Sequence, residues 1–327
     1  MDFAPHPSSS TVAWTEEMES TAWDIGSAVL SGVLLEVSAY PKPGLVAPRS
    51  MGSHRDMDLQ SFMLSSAAIA PCFYACARAG LTTDCAPETL LPLVRAIGRA
   101  FDARLLAATH GVNTQRGILF CAGLLAAAAG RLARRGLTLR PPAVFAEVAA
   151  ISHGLCAREL AQAGAEDART AGEILFRRFG VLGVRGEVEA GFPSVALHGL
   201  PALNAAFAAG HDLNRALAHT LIALIAAAED STVLWRGGPD ALAFVKAEAV
   251  RIRDLGGALN DNGLAAIERL DGACVARNIS PGGAADLLAV TVGVYLLEHR
   301  SIPECAMAKS HSGVRKRRDD SPASCGG

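Results

Sequence analysis

Aromatic side chains are scarce in this sequence, at 5% of residues, although hydrophobic residues make up 50%. Sheet-rich cores draw on aromatic and β-branched residues, and alanine, which fills much of the apolar remainder here, suits helix interiors. The composition therefore predicts an all-α protein. An excess of charge of either sign is also missing, with 30 Lys and Arg against 32 Asp and Glu and a formal net charge of -2. That excludes a whole-molecule field drawing the chain to nucleic acid or an acidic membrane surface, so an anionic substrate would need local cations. The eight cysteines include no Cys-x-x-Cys pair, and Cys72, Cys76 and Cys121 sit in apolar runs where cysteine acts as a small hydrophobe. No signal peptide is read at the N-terminus, so a reducing cytoplasm is expected. The longest apolar run, Gly117 to Gly130, is bracketed by Arg116 and Arg131. It is shorter than the roughly 20 residues that span a bilayer, and predicts a buried core helix. No internal repeat is present.

A chain of 327 residues permits one large domain or two small ones. The break at Gly136 to Pro142 is the most tempting boundary, but motifs on both sides need one another. The organisation expected is a flexible lead over 1–20, one compact multi-helix domain over 21–300 whose motif loops converge on one cleft, and a disordered tail over 301–327. The tail's Arg315-Lys316-Arg317-Arg318 run is followed at once by Asp319 and Asp320, which marks a solvated segment.

The segment richest in chemistry is Tyr40-Pro41-Lys42-Pro43-Gly44-Leu45-Val46, continuing through Gly52-Ser53-His54-Arg55-Asp56-Met57. Two prolines hold the backbone out of helix and stiffen the frame around Lys42. The loop follows an amphipathic helix predicted over Thr21 to Val37, in which Ile25, Val29, Gly32 and Glu36 share a face. Glu36 thus ends an apolar face, either capping the loop or facing a polar cavity. Further along, Asn113 or Thr114 offers an N-cap before Arg116 and the apolar helix, which makes an anion cradle or an ordinary capped start. Gly180 to Glu187 reads as a glycine-punctuated loop carrying Arg185 and Glu187, shaped for a ligand or simply a surface turn. Asp212 caps a helix over Leu213 to Ala228, and Glu229 and Asp230 at its end oppose the helix dipole unless Mg²⁺ or a nearby Arg, such as Arg236, offsets them. In Ser280-Pro281-Gly282-Gly283, Ser280 is the expected N-cap, and Asp286 falls on an otherwise apolar stripe where a ligand or metal is favoured over a cap.

Taken in order, the Pro41 to Val46 and Gly52 to Met57 segments, Gly111-Val112-Asn113-Thr114-x-Arg116-Gly117, Gly183-x-Arg185-Gly186-Glu187, Asp230 with Arg236-Gly237-Gly238, and Ser280-Pro281-Gly282-Gly283-x-Ala285-Asp286-Leu287-Leu288 resemble the triphosphoribosyl-dephospho-CoA synthase family. The likeness covers about Ala22 to Glu298. It implies an all-helical enzyme that removes adenine from ATP and joins the triphosphoribosyl group to the 2′-hydroxyl of 3′-dephospho-CoA. The product is the prosthetic-group precursor for the acyl carrier subunit of malonate decarboxylase or citrate lyase, passed on to a carrier-protein transferase. Three positions depart from the family pattern: Ala47 where an acid is frequent, Gln115 where histidine is usual, and Ser231-Thr232 where Thr-Asn commonly follows the aspartate.

Such chemistry needs carboxylates near an oxocarbenium-like sugar, a proton carrier, cations for phosphates, and Mg²⁺. The residue types present suit it. Glu36 or Asp56 is assigned to the sugar, His54 to proton transfer, and Asp230 and Asp286 to Mg²⁺. Lys42, Arg116 and Arg236 are assigned to the triphosphate, with Gly44, Arg55, Asn113, Thr114, Arg185, Glu187, Gly282 and Gly283 completing the substrate site. Two other readings stay open: a ribosyl-transfer or hydrolysis enzyme with another acceptor, and a non-catalytic helical nucleotide-binding protein. The client carrier and a homo-oligomeric state are open as well.

Overall fold

A computed structural model describes residues 14–161 and 170–308, and among them there are thirteen α-helices and no strand. The basic run at 315–318 and most of the expected tail lie outside the described residues, as does the lead before Trp14.

Helix α1 (Glu16–Ser38) begins five residues before the pattern of apolar residues does, because Thr15 caps it by accepting from the Met18 N–H at 3.2 Å and three glutamates occupy its first turn. Helix α2 (Leu59–Thr82) opens on an Asp58–Ser61 capping box. It is followed by α3 (Leu91–Ala108) and α4 (Arg116–Arg134), and the alanine-rich stretch of α4 from Leu124 to Ala129 is fully buried. Small side chains let neighbouring helices approach closely. At Gly32 of α1, an added Cβ would lie 2.2 Å from the Ala289 carbonyl on α12 (Gly282–His299), so that pair packs nearly backbone to backbone. The central bundle is α1, α2, α4 and α12, with α3 and α5 (Pro141–Ser152) against its flanks. By length and composition α2 and α4 could each cross a membrane; here α4 buries most of its apolar window inside the bundle.

Apart from α12, the second half of the chain packs against this bundle. Short helices α6 (Ala171–Phe179) and α7 (Gly183–Glu189) are followed by α8 (Leu200–Ala208), α9 (Leu213–Ala227), α10 (Ser231–Asp254), α11 (Asp261–Ala276), α12 (Gly282–His299) and α13 (Glu304–Ala308). Helix α10 breaks at Gly238, whose φ of 72° and following Pro239 interrupt the ladder. The Gly183 to Glu187 segment is helical, where glycine content predicted a loop; Val188, packed at 0% exposure, anchors it.

Candidate active site

The proline loop is held by distant helices. Asn214 on α9 takes both backbone groups of Tyr40, accepting from its N–H at 2.9 Å and donating to its carbonyl at 2.5 Å. Asp271 on α11 accepts the Gly44 N–H at 2.8 Å, and Ser53 donates to the Ile279 carbonyl at 2.6 Å. Gly44 has a φ of +67°, and a Cβ there would sit 2.1 Å from the Ile279 oxygen. It is therefore a backbone requirement of the loop and not a wall of the cavity, contrary to its expected place among substrate contacts. Neither Asn214 nor Asp271 carries a local sequence signal, since each does its work through a loop about two hundred residues away.

Lys42 points back under this loop. Its Nζ donates to the Glu36 carbonyl at 2.9 Å and pairs with Glu36 Oε1 at 2.5 Å, and the two side chains are 2% and 6% exposed. Burial pushes the Lys42 ammonium below its ordinary range, and the Glu36 carboxylate offsets that shift. The expected free phosphate clamp is thus one half of a buried ion pair, and Glu36 both ties down the loop through Lys42 and lines the cavity.

Three helix N-termini meet above it. Asp230 opens α10 and does not trail α9: α9 ends at Ala227, and Asp230 Oδ1 accepts from Thr232 and Val233 at 2.9 and 3.1 Å. Its Oδ2 accepts the Ala284 N–H of α12 at 2.8 Å, so one carboxylate caps two helices. The sign of the dipole argument is reversed: this acid sits where the helix ends are positive. Burial raises its pKa against those N–H bonds. Ser280, expected to cap α12, is released for another role, and Gly282 and Gly283 line the cavity beside Asp230. Asp286, one turn into α12, accepts the Ile118 N–H at the start of α4. Burial, Glu36 and Asp230 together hold its carboxyl well above the usual carboxylate range.

Gly117 faces this carboxylate so closely that a Cβ would fall 2.0 Å from Asp286 Oδ2. Gly117→Ala must displace Asp286 or α4, and kcat/KM is expected to fall by about 10²-fold. The overpacking should cost about 1–3 kcal/mol in a denaturant titration. Unchanged turnover would show that the Asp286 position is unimportant.

The opposite wall comes from α7 and the segments after it. Glu187 accepts from Ser194 Oγ at 2.5 Å and from the Ser194 N–H at 3.3 Å, and burial raises its pKa while those bonds oppose the rise. His54 shares a 2.9 Å hydrogen bond with Ser280 Oγ through Nε2, and its Nδ1 lies 3.9 Å from Asp56. Burial and then the Arg236 charge lower its pKa, with Asp56 acting in the other direction. The cavity so formed is about 660 Å³, and Asn113, Thr114, Gln115 and Arg116 also line it.

Several expected contacts do not reach it. Arg55 and Asp56 are exposed beside it, Arg185 is tied to Glu159 at 2.9 Å, and Arg236 donates to the Ser53 carbonyl at 3.2 Å from behind His54. Arg116 does reach it, while paired with Asp102 at 2.7 Å. The N-cap of α4 is Gln115, whose side chain caps no N–H, and not Asn113 or Thr114; Asn113 accepts the Arg116 N–H at 3.3 Å from two residues before the cap. Among the described residues no group of three or more His, Cys, Asp or Glu forms a ready-made metal cage.

The family model for CitG, described as ATP:dephospho-CoA triphosphoribosyl transferase, matches residues 22–304. The chain is 41% identical over 282 residues to the "Probable 2-(5''-triphosphoribosyl)-3'-dephosphocoenzyme-A synthase" of Malonomonas rubra, covering 86% of this chain and 89% of that one. It is 43% identical over 272 residues to the 2-(5''-triphosphoribosyl)-3'-dephosphocoenzyme-A synthase of Klebsiella pneumoniae, covering 83% and 90%. The enzyme of that name from Pectobacterium atrosepticum is 45% identical over 277 residues, covering 84% and 89%. No solved structure shows significant similarity to the chain. With buried acids and helix N-termini gathered on one cavity, and with relatives matched over most of their length, the chain belongs to the triphosphoribosyl-dephospho-CoA synthase family.

Proposed function

We propose that this protein is the transferase its relatives are named for, forming 2′-(5″-triphosphoribosyl)-3′-dephospho-CoA from ATP and 3′-dephospho-CoA with release of adenine. The observation that carries the reading is the convergence of Glu36, Asp286 and Glu187, three acids in different environments, on one cavity beside the N-terminus of α4. Breaking the bond to adenine leaves positive charge on the ribose, and a buried carboxylate stabilises it far better than water does. Glu36 supplies that charge, and Asp56, exposed outside the cavity, does not. Glu187, whose pKa burial raises, is the acid placed to hand a proton to the departing base. His54, its pKa lowered, is neutral and accepts the proton of the incoming 2′-hydroxyl.

The residues present fit Mg²⁺. Three carboxylates face one ammonium, and burial together with its acidic neighbours resists ionisation of Asp286, a surplus that a divalent cation would relieve. Of the two acids expected at the metal, Asp286 would hold the ion, while Asp230, whose oxygens are taken by backbone N–H groups, would contribute charge alone. Mg²⁺ keeps most of its shell as water and phosphate oxygen, so a complete protein cage is not required, and when bound it neutralises triphosphate charge. We place the protein in the cytoplasm and its product with a carrier-protein transferase serving malonate decarboxylase or citrate lyase.

The test is to mix purified protein with ATP, Mg²⁺ and 3′-dephospho-CoA and follow adenine and product mass. Adenine with a product of the coupled mass is expected. Adenine with free triphosphoribose would make it a hydrolase, and no adenine from folded protein would sink the reading. The pH profile tests His54. A base with a lowered pKa stays neutral further into acid, so the acid limb of kcat/KM should lie below the ordinary imidazole value. Arg236→Gln removes the cation that depresses it and should move that limb upward; an unmoved limb would take His54 out of the proton path.

A further inference from the structure

One wall of the cavity carries a side chain that the mechanism above does not use. Gln115, immediately before α4, is 4% exposed and lines the cavity. Its Oε1 accepts from two hydroxyls of α2, Ser65 Oγ at 2.6 Å and Ser66 Oγ at 3.2 Å. Ser65 has a second acceptor in the Phe62 carbonyl at 3.1 Å, but among the described residues Gln115 Oε1 is the acceptor available to the buried Ser66 hydroxyl. Turning the amide over would strand that proton, so the oxygen faces α2 and the NH₂ group is left over. Among the described residues Nε2 has no protein hydrogen-bond partner, and it is not among the fully enclosed unpaired atoms, so it keeps open surface on a residue that lines the cavity. A ligand acceptor in the cavity would pair it.

The surroundings say which acceptor. Nε2 stands at the positive end of α4, a helix of 19 residues, beside Arg116 and the Asn113–Thr114 turn, and that end favours anionic oxygen. We propose that Gln115 is a substrate-binding residue whose Nε2 donates to a phosphoryl oxygen of the ATP triphosphate. The inference rests on the ATP reading above. A neutral imidazole at this position would offer the same pairing, an acceptor nitrogen toward the two serines and an N–H toward the cavity.

Calorimetric titration of the full chain with MgATP and, separately, with adenosine tests this. Gln115→Glu keeps an acceptor for the serines and replaces the donor by a negative charge. Its Kd for MgATP should rise by about 20-fold, the size of a lost hydrogen bond to a charged group, while adenosine binding stays within about twofold. Gln115→Met, similar in length and without a donor, should lose about 10-fold on MgATP alone, and Gln115→His should stay within about threefold of wild type. Equal losses for MgATP and adenosine, or wild-type MgATP affinity in folded Gln115→Glu and Gln115→Met, would overturn the proposal while leaving the ATP reading intact. Wild-type protein that binds neither ligand would overturn both.

Discussion

In Asp286→Asn protein, adenine release in the presence of Mg²⁺ is expected to fall by about 10³-fold while the helical fold persists. Asn keeps an oxygen for the Ile118 N–H, so the junction of α12 with α4 is not cut. What it removes is the one acid whose ionisation the surroundings resist most, and with it the charge that would meet the metal. Burial, Glu36 and Asp230 raise the Asp286 pKa in the folded protein, and the sign of the stability effect follows. Between its unfolded and folded pKa values the native state binds more protons, so stability falls as pH rises through that window. Asn carries no such penalty. Asp286→Asn should therefore unfold at the same or a higher denaturant concentration than wild type near neutral pH, with the difference shrinking toward acid. Adenine release and a urea titration at two pH values give both readings. Near-normal turnover would sink the assignment, and so would a variant that loses activity only because it unfolds.

Lys42→Met should have the largest effect on stability. Removing the ammonium leaves the Glu36 carboxylate, 6% exposed, without its partner, and it strips the Glu36 carbonyl of a donor as well. Breaking a buried pair from one side costs about 3–5 kcal/mol, chiefly because the remaining charge is stranded. The double variant Glu36→Gln with Lys42→Met should recover most of that loss, since no ion is left in the interior. Activity should not return with it, because the carboxylate that stabilises the sugar is gone. Recovery of adenine release by the double variant would show that the pair holds the loop and nothing more. A Lys42→Met protein as stable as wild type would show that the ion pair contributes little.

The lesson for reading such chains lies in particular residues. Scarce aromatics and abundant alanine announced the helices, and the apolar run of α4 announced its burial. Glu36 stood out because a carboxylate ending an apolar face needs either a cap partner or a polar cavity, and Asp286 stood out on its apolar stripe in the same way. The charges that failed to enter the cavity failed for a shared cause. Arg185 and Arg236 each found an oxygen closer than the site, Glu159 in one case and the Ser53 carbonyl in the other. A local pattern can register that a cation is present and says nothing of which acceptor lies nearest in space.

Asp230 makes the point most sharply. Its neighbours in the chain put it after one helix; the fold makes it the cap of two, the second supplied from fifty-four residues away. By itself, then, the sequence determined the helical class, the family, and the inventory of acids and cations, because periodicity, composition and short motifs are local properties. Only the tertiary structure decided which acids face one another, which of them resists ionisation most, which cations are spent on ion pairs, and that Gln115 is left with a free donor. Those outcomes depend on distance and burial across the whole chain, and Coulomb energies and desolvation costs are fixed by the packed arrangement and not by order along the backbone.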